Sequence, residues 1–169
     1  MSSAAVRPWL RAAGLGGAVL AVDQAAKAAV EAHIVIGEYV AVVGGVELTL
    51  SHNRGVAFGL AGGAGVGLVG VTAAALAVIG YLFSRNPQRP GMWAAVGLIA
   101  GGALGNLADR IRAGAVTDFV AIGSWPPFNL ADVSITLGVL LIVFLYLRDG
   151  EREERAKRSG GSASTQADG

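Results

Sequence analysis

Two aspartates stand out in this 169-residue sequence because carboxyl groups in apolar surroundings can perform acid–base chemistry. Asp118 lies in the apolar run 116–120, and Asp132 follows Phe128-Asn129-Leu130-Ala131. The intervening chain is long enough to fold the two side chains together. Two neighbouring carboxyl groups cannot both ionise cheaply, so such a pair would share one proton. The ionised member can then take a proton from water while the other protonates a leaving amine, which amounts to hydrolysis of a peptide bond.

Asp132 also has a purely structural interpretation. A carboxylate suits the first turn of a helix, where free amide groups donate to it. For Asp132 alone this is the better interpretation, and it weakens once Asp118 lies near the same helix end. Asp23 and Lys27 are spaced i to i+4 and can pair on one helix face, which either fixes helix packing or serves a site.

Polar groups within an apolar chain are costly in a membrane and are therefore functional candidates. Asn106 and Arg110 lie one helical turn apart, and Arg110 could pair with a carboxylate or with a lipid phosphate. A transport pathway would place such groups at the membrane midplane. The distribution of lysine and arginine instead predicts an orientation in which most of them lie near the outer face: Asn53, Asn106, Asp109, Arg110, Asp118, Asn129 and Asp132.

The composition indicates a membrane protein. The chain is 53% hydrophobic and only 15% charged, against about 25% charged in a typical soluble domain. A net charge of +1 gives no basic excess for nucleic acid, and we expect no nucleic-acid partner. The absence of cysteine excludes thiol catalysis and disulfides, and His33 and His52 have no metal-ligand spacing. We therefore expect neither a cofactor nor a metal.

Four apolar stretches are long enough to cross a bilayer as helices, which needs about 20 residues each. We interpret the first as an uncleaved span rather than a secretory signal peptide, because no clean small-x-small cleavage site follows it. The predicted fold is an all-α four-transmembrane-helix bundle. Its spans cover residues 10–32, 58–83, 91–111 and 130–147.

The basic residues orient these spans. Nine of the 13 lysines and arginines fall before span one, between spans two and three, or after span four. The positive-inside rule therefore predicts that both termini are cytoplasmic. Two loops, residues 33–57 and 112–129, then lie outside, together with the candidate site.

The first outer loop carries a hairpin pattern. Residues 40–43 and 46–50 are rich in valine and leucine and flank Gly44-Gly45, so we expect a small β-hairpin or sheet lying at the membrane surface. Whether residues 38–50 form a lid is left open. Residues 1–150 are predicted to form a single membrane domain, and 151–169 a charged and then Gly/Ser-rich cytoplasmic tail, disordered from Ser159. Gly97, Gly101 and Gly105 recur every four residues, a spacing that favours close helix packing.

Four sequence blocks follow one another along nearly all of the folded chain. They are Asp23-Gln24-Ala25-Ala26-Lys27; Asn53-Arg54-Gly55-Val56-Ala57-Phe58; residues 101–110 with Gly114 and Val116-Thr117-Asp118-Phe119; and Phe128-Asn129-Leu130-Ala131-Asp132. In this order they resemble the lipoprotein signal peptidases, or signal peptidase II. The third and fourth blocks together are specific, whereas the first alone is weak.

This resemblance implies an aspartic endopeptidase of the bacterial cytoplasmic (inner) membrane. Such enzymes remove the signal peptide from diacylglyceryl-modified prolipoproteins, cutting just before the lipidated lipobox cysteine, and are inhibited by globomycin. Asp118 and Asp132 match the catalytic pair. The positions that match substrate-binding or supporting residues are Asn53, Asn106, Arg110, Asn129, Asp109, Asp23 and Lys27.

Two small departures from the family pattern remove no candidate catalytic group and could alter pocket packing or inhibitor affinity. Thr117 stands where another β-branched apolar residue is frequent, and Val133 stands where a small residue is frequent. Because one bundle contains the whole candidate site, we expect a monomer that contacts membrane lipid.

Three other functions are compatible with parts of the sequence. A small membrane transporter would use Asp23 and Lys27 as a relay, but internal repeats and broken helices are lacking. A serine–lysine peptidase would need a serine in helical register with Lys27, and none of Ser51, Ser124 and Ser134 has it. A non-catalytic membrane scaffold would pair every charge for folding.

Overall fold

The computed structural model describes residues 3–55 and 64–167. Within these residues there are four helices and four strands, and the strands come in two pairs, one in each segment that the sequence predicts to be an outer loop. The elements are α1 (Ser3–His33), β1 (Tyr39–Val43), β2 (Val46–Asn53), α2 (Ala64–Arg85), α3 (Met92–Ala113), β3 (Val116–Ile122), β4 (Trp125–Phe128) and α4 (Leu130–Ala167).

The predicted spans correspond to these helices. Spans one and four lie within α1 and α4, and span three differs from α3 by one residue at its start and two at its end. The predicted start of span two, residues 58–63, is outside the described residues. By length and composition, two described helices are apolar enough to cross a membrane, over Gly67–Arg85 and Leu130–Arg152. Large apolar side chains on α2 and α4 are exposed, as expected of surfaces that face lipid.

Helix α3 is the centre of the bundle and packs mainly against α1 and α4. Its glycines allow this approach, as their spacing predicts. A Cβ atom added at Gly101 would lie 2.5 Å from the carbonyl oxygen of Gly16 on α1, and one at Gly105 would lie 2.6 Å from Oδ2 of Asp23. Since real contacts of this kind do not occur, α1 and α3 can touch only because these positions lack side chains.

The four strands form one antiparallel sheet in the order β1-β2-β3-β4. The predicted hairpin is confirmed, with β1 paired to β2 across the Gly44-Gly45 turn. The sheet also joins the two outer loops, because β2 pairs with β3 and places Ser51 opposite Asp118 and Asn53 opposite Val116. This pairing carries Asn53, at the end of β2, to the strand that holds Asp118.

The structure differs from the sequence prediction at the C-terminus. Helix α4 continues through Ala167, whereas the Gly- and Ser-rich composition predicts disorder from Ser159. No proline interrupts the chain after Pro127, and the charged stretch that starts the extension contains Glu–Arg pairs at i, i+4 spacing, such as Glu151 with Arg155. Such pairs favour continuation of a helix.

Candidate active site

Asp118 lies on β3 and is buried, with 3% of its surface exposed. Each of its carboxylate oxygens accepts a hydrogen bond from an asparagine amide. Asn129 Nδ2 donates to Oδ1 at 2.7 Å, and Asn53 Nδ2 donates to Oδ2 at 3.0 Å. The two amides fix the plane of the carboxyl group, and each oxygen keeps a lone pair for a proton or a water molecule.

The surroundings of Asp118 make it a weaker acid than an ordinary aspartate. Burial removes water from the charged form and raises the pKa of Asp118 to about 6. The nearby Asp132 carboxylate also raises this pKa, while the hydrogen bonds from Asn53 and Asn129 and the charge of Lys27 lower it. Asp118 can therefore hold a proton at a pH closer to neutral than an ordinary aspartate can.

Asp132 is fixed by the first turn of α4. Helix α4 begins at Leu130, so Asn129 is its N-cap residue. Asn129 Oδ1 accepts a hydrogen bond from the Asp132 backbone N–H at 3.0 Å, and Asp132 Oδ2 accepts one from the Asn129 backbone N–H at 3.2 Å. This reciprocal pair is a capping box. The structural interpretation of Asp132 and the chemical one are thus both compatible with its position.

Asn129 connects the two aspartates. It is fully buried, and its side-chain oxygen caps α4 while its amide nitrogen donates to Asp118. One side chain therefore orients both carboxyl groups. Asp118 and Asp132 are connected along the chain by the segment that follows Asp118 and leads into α4. The hydrogen bonds of Asn129 then set the relative geometry of the two carboxyl groups.

Asn106 extends the network from Asp132 into the bundle. Its Nδ2 donates to Asp132 Oδ1 at 2.8 Å, and its Oδ1 accepts from Lys27 Nζ at 2.9 Å. Lys27 also pairs with Asp23 at 2.8 Å and with Asp109 at 2.7 Å, and its side chain is 4% exposed. The predicted i, i+4 pair is therefore one of two ion pairs that share Lys27, and together the three residues hold α1 against α3.

Asp23 reaches α4 as well. Its Oδ1 accepts a hydrogen bond from the backbone N–H of Ala131 at 2.9 Å, in the first turn of α4. That amide has no partner within its own helix, and a carboxylate is favourable at the positive end of the helix dipole. Asp23 thereby fixes the helix end on which Asp132 lies.

Arg110 lies apart from this network. Among the described residues its guanidinium makes no ion pair, and NH1 donates to the carbonyl oxygen of Asn106 at 3.3 Å. Its helical position beside Asn106 agrees with the predicted common face. The structure brings together the other eight predicted site residues, but not Arg110.

Three contacts of the site were not predicted. Gln24 Nε2 donates to Asp109 Oδ1 at 2.9 Å, and Arg112 NH1 donates to Gln24 Oε1 at 2.8 Å. Thr117 Oγ1, next to Asp118, donates to Glu31 Oε1 on α1 at 2.6 Å. Their partners are more than 80 residues apart in sequence, so spacing gives no signal. The sequence distinguishes Thr117 only as a departure from the family pattern.

A cavity of about 280 Å³ opens beside Asp132. Its other lining residues are mostly apolar and come from β4 and the first turns of α4: Trp125, Phe128, Val133, Thr136 and Leu137. An apolar groove of about 340 Å³ between α1, α3 and α4 shares Val133 and Leu137 with it. A carboxyl group at the edge of an apolar cavity on a lipid-facing surface can meet a substrate that is itself held in the membrane.

The chain is similar to known proteins along most of its length. The statistical model of the family described as signal peptidase (SPase) II matches residues 15–148. That range includes every residue of the network described above. The chain belongs to the signal peptidase II family. It is accordingly a membrane-embedded peptidase, in agreement with the resemblance found in its four sequence blocks.

Individual relatives agree with this assignment. A lipoprotein signal peptidase of Pelotomaculum thermopropionicum is 43% identical over 143 residues, which are 83% of this chain and 93% of the relative. One of Syntrophomonas wolfei is 46% identical over 113 residues, 66% of this chain and 75% of the relative. The solved structure of a bacterial membrane enzyme is similar as well, with 31% sequence identity and a TM-score of 0.77. The match covers 82% of this chain and 93% of the chain of that enzyme.

Proposed function

We propose that this protein is an aspartic endopeptidase that removes the signal peptide from diacylglyceryl-modified bacterial prolipoproteins. Cleavage falls just before the lipidated lipobox cysteine, and Asp118 and Asp132 are the catalytic pair. The observation that carries the proposal is the double contact of Asn129, which donates to Asp118 and caps the helix turn that holds Asp132. A purely structural cap has no need for the second carboxylate.

In the proposed reaction, Asp118 starts protonated and Asp132 ionised. Asp132 takes a proton from a water molecule, whose oxygen attacks the scissile carbonyl carbon, while Asp118 donates its proton toward the carbonyl oxygen. Collapse of the tetrahedral intermediate breaks the C–N bond. The proton taken by Asp132 passes to the leaving amine, and a hydroxyl proton of the intermediate returns to Asp118, which restores both aspartates; the released carboxylic acid then ionises in water. The products are a signal-peptide carboxylate and a lipoprotein with a free amine on its lipidated cysteine.

The raised pKa of Asp118, about 6, supports this assignment of the proton. Asn53 and Asn129 orient Asp118 through their amides, and Asn106 orients Asp132. We assign Lys27 the role of holding Asn106 in place, since its ammonium donates to the Asn106 oxygen.

The remaining predicted residues support the site indirectly. Asp23 and Asp109 balance the buried charge of Lys27, and Asp23 also positions the start of α4. Arg110 has no ion partner among the described residues, which leaves its guanidinium available for a phosphate or carbonyl group of the substrate.

We also propose a membrane arrangement for this chemistry. All four helices span the bacterial inner membrane, both termini are cytoplasmic, and residues 1–150 form one domain followed by the tail 151–169. The sheet lies on the outer membrane surface, among lipid, and every valine and the tyrosine of β1 is exposed there. The enzyme acts as a monomer and binds globomycin-type inhibitors at the substrate site.

The decisive experiment is cleavage of a diacylglyceryl-modified lipobox peptide by purified protein in detergent. The wild-type chain should release a fragment that begins at the lipidated cysteine. Asp118→Asn and Asp132→Asn should each abolish turnover, with rates lowered by about 10³-fold or more, because each removes one half of the acid–base pair.

Thermal unfolding of each variant in the same detergent provides the control for folding. Near-normal turnover by Asp132→Asn would overturn the proposed pair. If the well-folded wild-type chain failed to cleave, the transporter and scaffold functions would replace the peptidase proposal.

A further inference from the structure

Another cavity, lined largely by polar residues, lies at the end of the bundle opposite the aspartates. It has a volume of about 710 Å³ and is formed by the end of α2, the α2–α3 turn and α4. The residues that decide its chemistry are Arg85, Asn86, Arg89, Tyr146 and Asp149. None of them contacts the network around Asp118 and Asp132, so the reaction proposed above leaves this cavity without a role.

Arg89 is held rigidly in this cavity. Its Nε donates to Asp149 Oδ2 at 3.0 Å, and its NH2 donates to the carbonyl oxygen of Leu145 at 3.2 Å. The guanidinium also stacks on the ring of Tyr146, with 3.8 Å between the central carbon and the ring centroid. These contacts already hold the Arg89 side chain in one conformation. A ligand that binds to Arg89 therefore causes little further loss of side-chain entropy.

Arg85 carries a charge that the protein does not neutralise. Its NH1 donates to the Tyr81 hydroxyl on its own helix at 2.9 Å, and within residues 3–55 and 64–167 it has no carboxylate within 4.0 Å. Asp149 is already shared between Arg89 and Arg148, at 2.9 and 3.0 Å. The cavity is therefore net positive, with guanidinium groups suited to a phosphate.

The cavity lies at the depth of lipid headgroups. Residues 130 to 149 of α4 extend about 30 Å at the helical rise of 1.5 Å per residue, which matches the hydrocarbon core of a bilayer. Exposed apolar side chains, including Leu82, Phe144 and Leu147, lie just before the charged residues on α2 and α4. Asp149 therefore lies where the lipid-facing surface ends.

The polar cavity continues into an apolar cleft between α2, α3 and α4. The cleft holds about 60 Å³ and shares Asn86, Arg89 and Tyr146 with the polar cavity. Its other walls are apolar and include Ile79, Phe83, Val96 and Ile142. A cationic cavity joined to an apolar cleft matches a phosphate headgroup joined to an acyl chain, whereas a free phosphate ion would leave the cleft unused.

We propose that this end of the bundle binds an anionic phospholipid. The phosphate contacts Arg85 and Arg89, and the headgroup occupies the polar cavity. The first methylene groups of one acyl chain enter the cleft between Ile79 and Ile142, and the rest of that chain lies against the exposed apolar surface of α4. The bound lipid joins α2 to α3 and α4; among the described residues, α2 packs mainly against α3.

Native mass spectrometry of the purified protein in detergent, titrated with phosphatidylglycerol, tests this site. Arg85→Gln should weaken binding about tenfold, as expected for loss of a charged hydrogen bond. Arg7→Gln is the matched control, because Arg7 is exposed at the same end of the molecule but outside the cavity. It should change binding by less than about twofold, since exposed charges are screened.

Two further titrations, with phosphatidylcholine and with inorganic phosphate, distinguish a bound phospholipid from a free phosphate ion. Phosphatidylcholine should bind more weakly than phosphatidylglycerol, and inorganic phosphate should neither bind measurably nor compete. Equal losses for Arg7→Gln and Arg85→Gln would overturn the site in favour of diffuse attraction. Competition by inorganic phosphate at similar concentration would overturn the lipid in favour of a free anion. Arg85 contacts only its own helix among described residues, so the variant should fold, and peptide cleavage in detergent serves as a separate check.

Discussion

Asn129 holds the site together at the level of single residues. Its oxygen caps α4 and its amide nitrogen donates to Asp118, both from a fully buried position. Serine would cap the helix without reaching Asp118, and aspartate would cap it but place a third carboxylate beside the pair. The two ends of an asparagine amide, one acceptor and one donor, suit this position.

The pKa of Asp118 predicts how the reaction depends on pH. Burial raises this pKa to about 6, so the carboxyl group is protonated below pH 6 and loses its proton above it. If Asp118 supplies the proton, log kcat/KM should fall with rising pH past about 6, with a slope approaching −1. Initial cleavage rates at low substrate concentration across pH 5 to 9 measure this, and a rise through pH 6 would assign the proton elsewhere.

Replacement of Asn53 should shift the pH at which log kcat/KM begins to fall, which is the downward break of the profile. The Asn53 hydrogen bond is the largest of the effects that lower the pKa of Asp118. In Asn53→Ala the opposing effect of burial remains, so the pKa should rise and the downward break should shift to higher pH. The same cleavage profile provides the measurement. A merely structural role for Asn53 would lower the rate at every pH without shifting the break.

At the level of elements, α3 must touch α1 through glycine. Gly101→Ala would place a Cβ 2.5 Å from the Gly16 carbonyl oxygen and 2.8 Å from the Val19 Cβ. Because the first contact is with backbone, the helices must separate, at a cost of about 1–3 kcal/mol. We expect a lower unfolding temperature in detergent and reduced cleavage, since Asp23 and Lys27 on α1 would move away from Asn106.

Gly67 on α2 provides the matched control for that substitution. Within the described part of the chain, nothing lies within 4 Å of a Cβ added there. Gly67→Ala should therefore keep or slightly raise the unfolding temperature, because alanine favours helix by about 1 kcal/mol. Equal destabilisation by the two variants would show that close packing at Gly101 is not the cause.

A second contact between elements joins α1 to the strand that bears Asp118. Thr117 Oγ1 donates to Glu31 Oε1 at 2.6 Å, and the threonine is buried. Thr117→Val keeps the β-branched shape and removes the hydroxyl. It should lower the free energy of unfolding by about 1 kcal/mol and reduce kcat, because the strand loses its tie to α1.

A double-mutant cycle with Glu31→Gln isolates this contact. The two single variants should each lose stability, and the double variant should lose less than the sum, with a coupling of about 0.5–1 kcal/mol. Guanidinium or thermal unfolding in detergent gives these values. Strictly additive losses would mean that the hydrogen bond does not form in the membrane enzyme.

For the whole molecule, the proposed orientation places the sheet outside and the α2–α3 turn inside. The chain has no cysteine, so single cysteines can be introduced without background. Ser124→Cys is at an exposed turn of the sheet, and Ser84→Cys is exposed at the end of α2. In spheroplasts an impermeant maleimide should label only the first, and permeabilisation should expose the second. The reverse pattern would invert the topology.

Local patterns in the sequence already determine much of this protein. The charge-free runs, the Gly44-Gly45 turn and the four-residue glycine spacing act over a few neighbouring residues, and the helices, the hairpin and the close contact of α3 with α1 agree with them. The Asp23–Lys27 pair follows from one turn of helix. The sequence also identifies the aspartates and the family, because those motifs are contiguous.

Only the tertiary structure decided how these pieces meet. Lys27 pairs with Asp109, Gln24 with Arg112 and Thr117 with Glu31, each across more than 80 residues. The raised pKa of Asp118 likewise depends on burial created by the whole bundle. Local propensity acts between neighbours in sequence, whereas burial and long-range hydrogen bonds depend on which helices share a surface. The sequence therefore identified the candidate catalytic groups, and the packing of α1, α3 and α4 decided their arrangement.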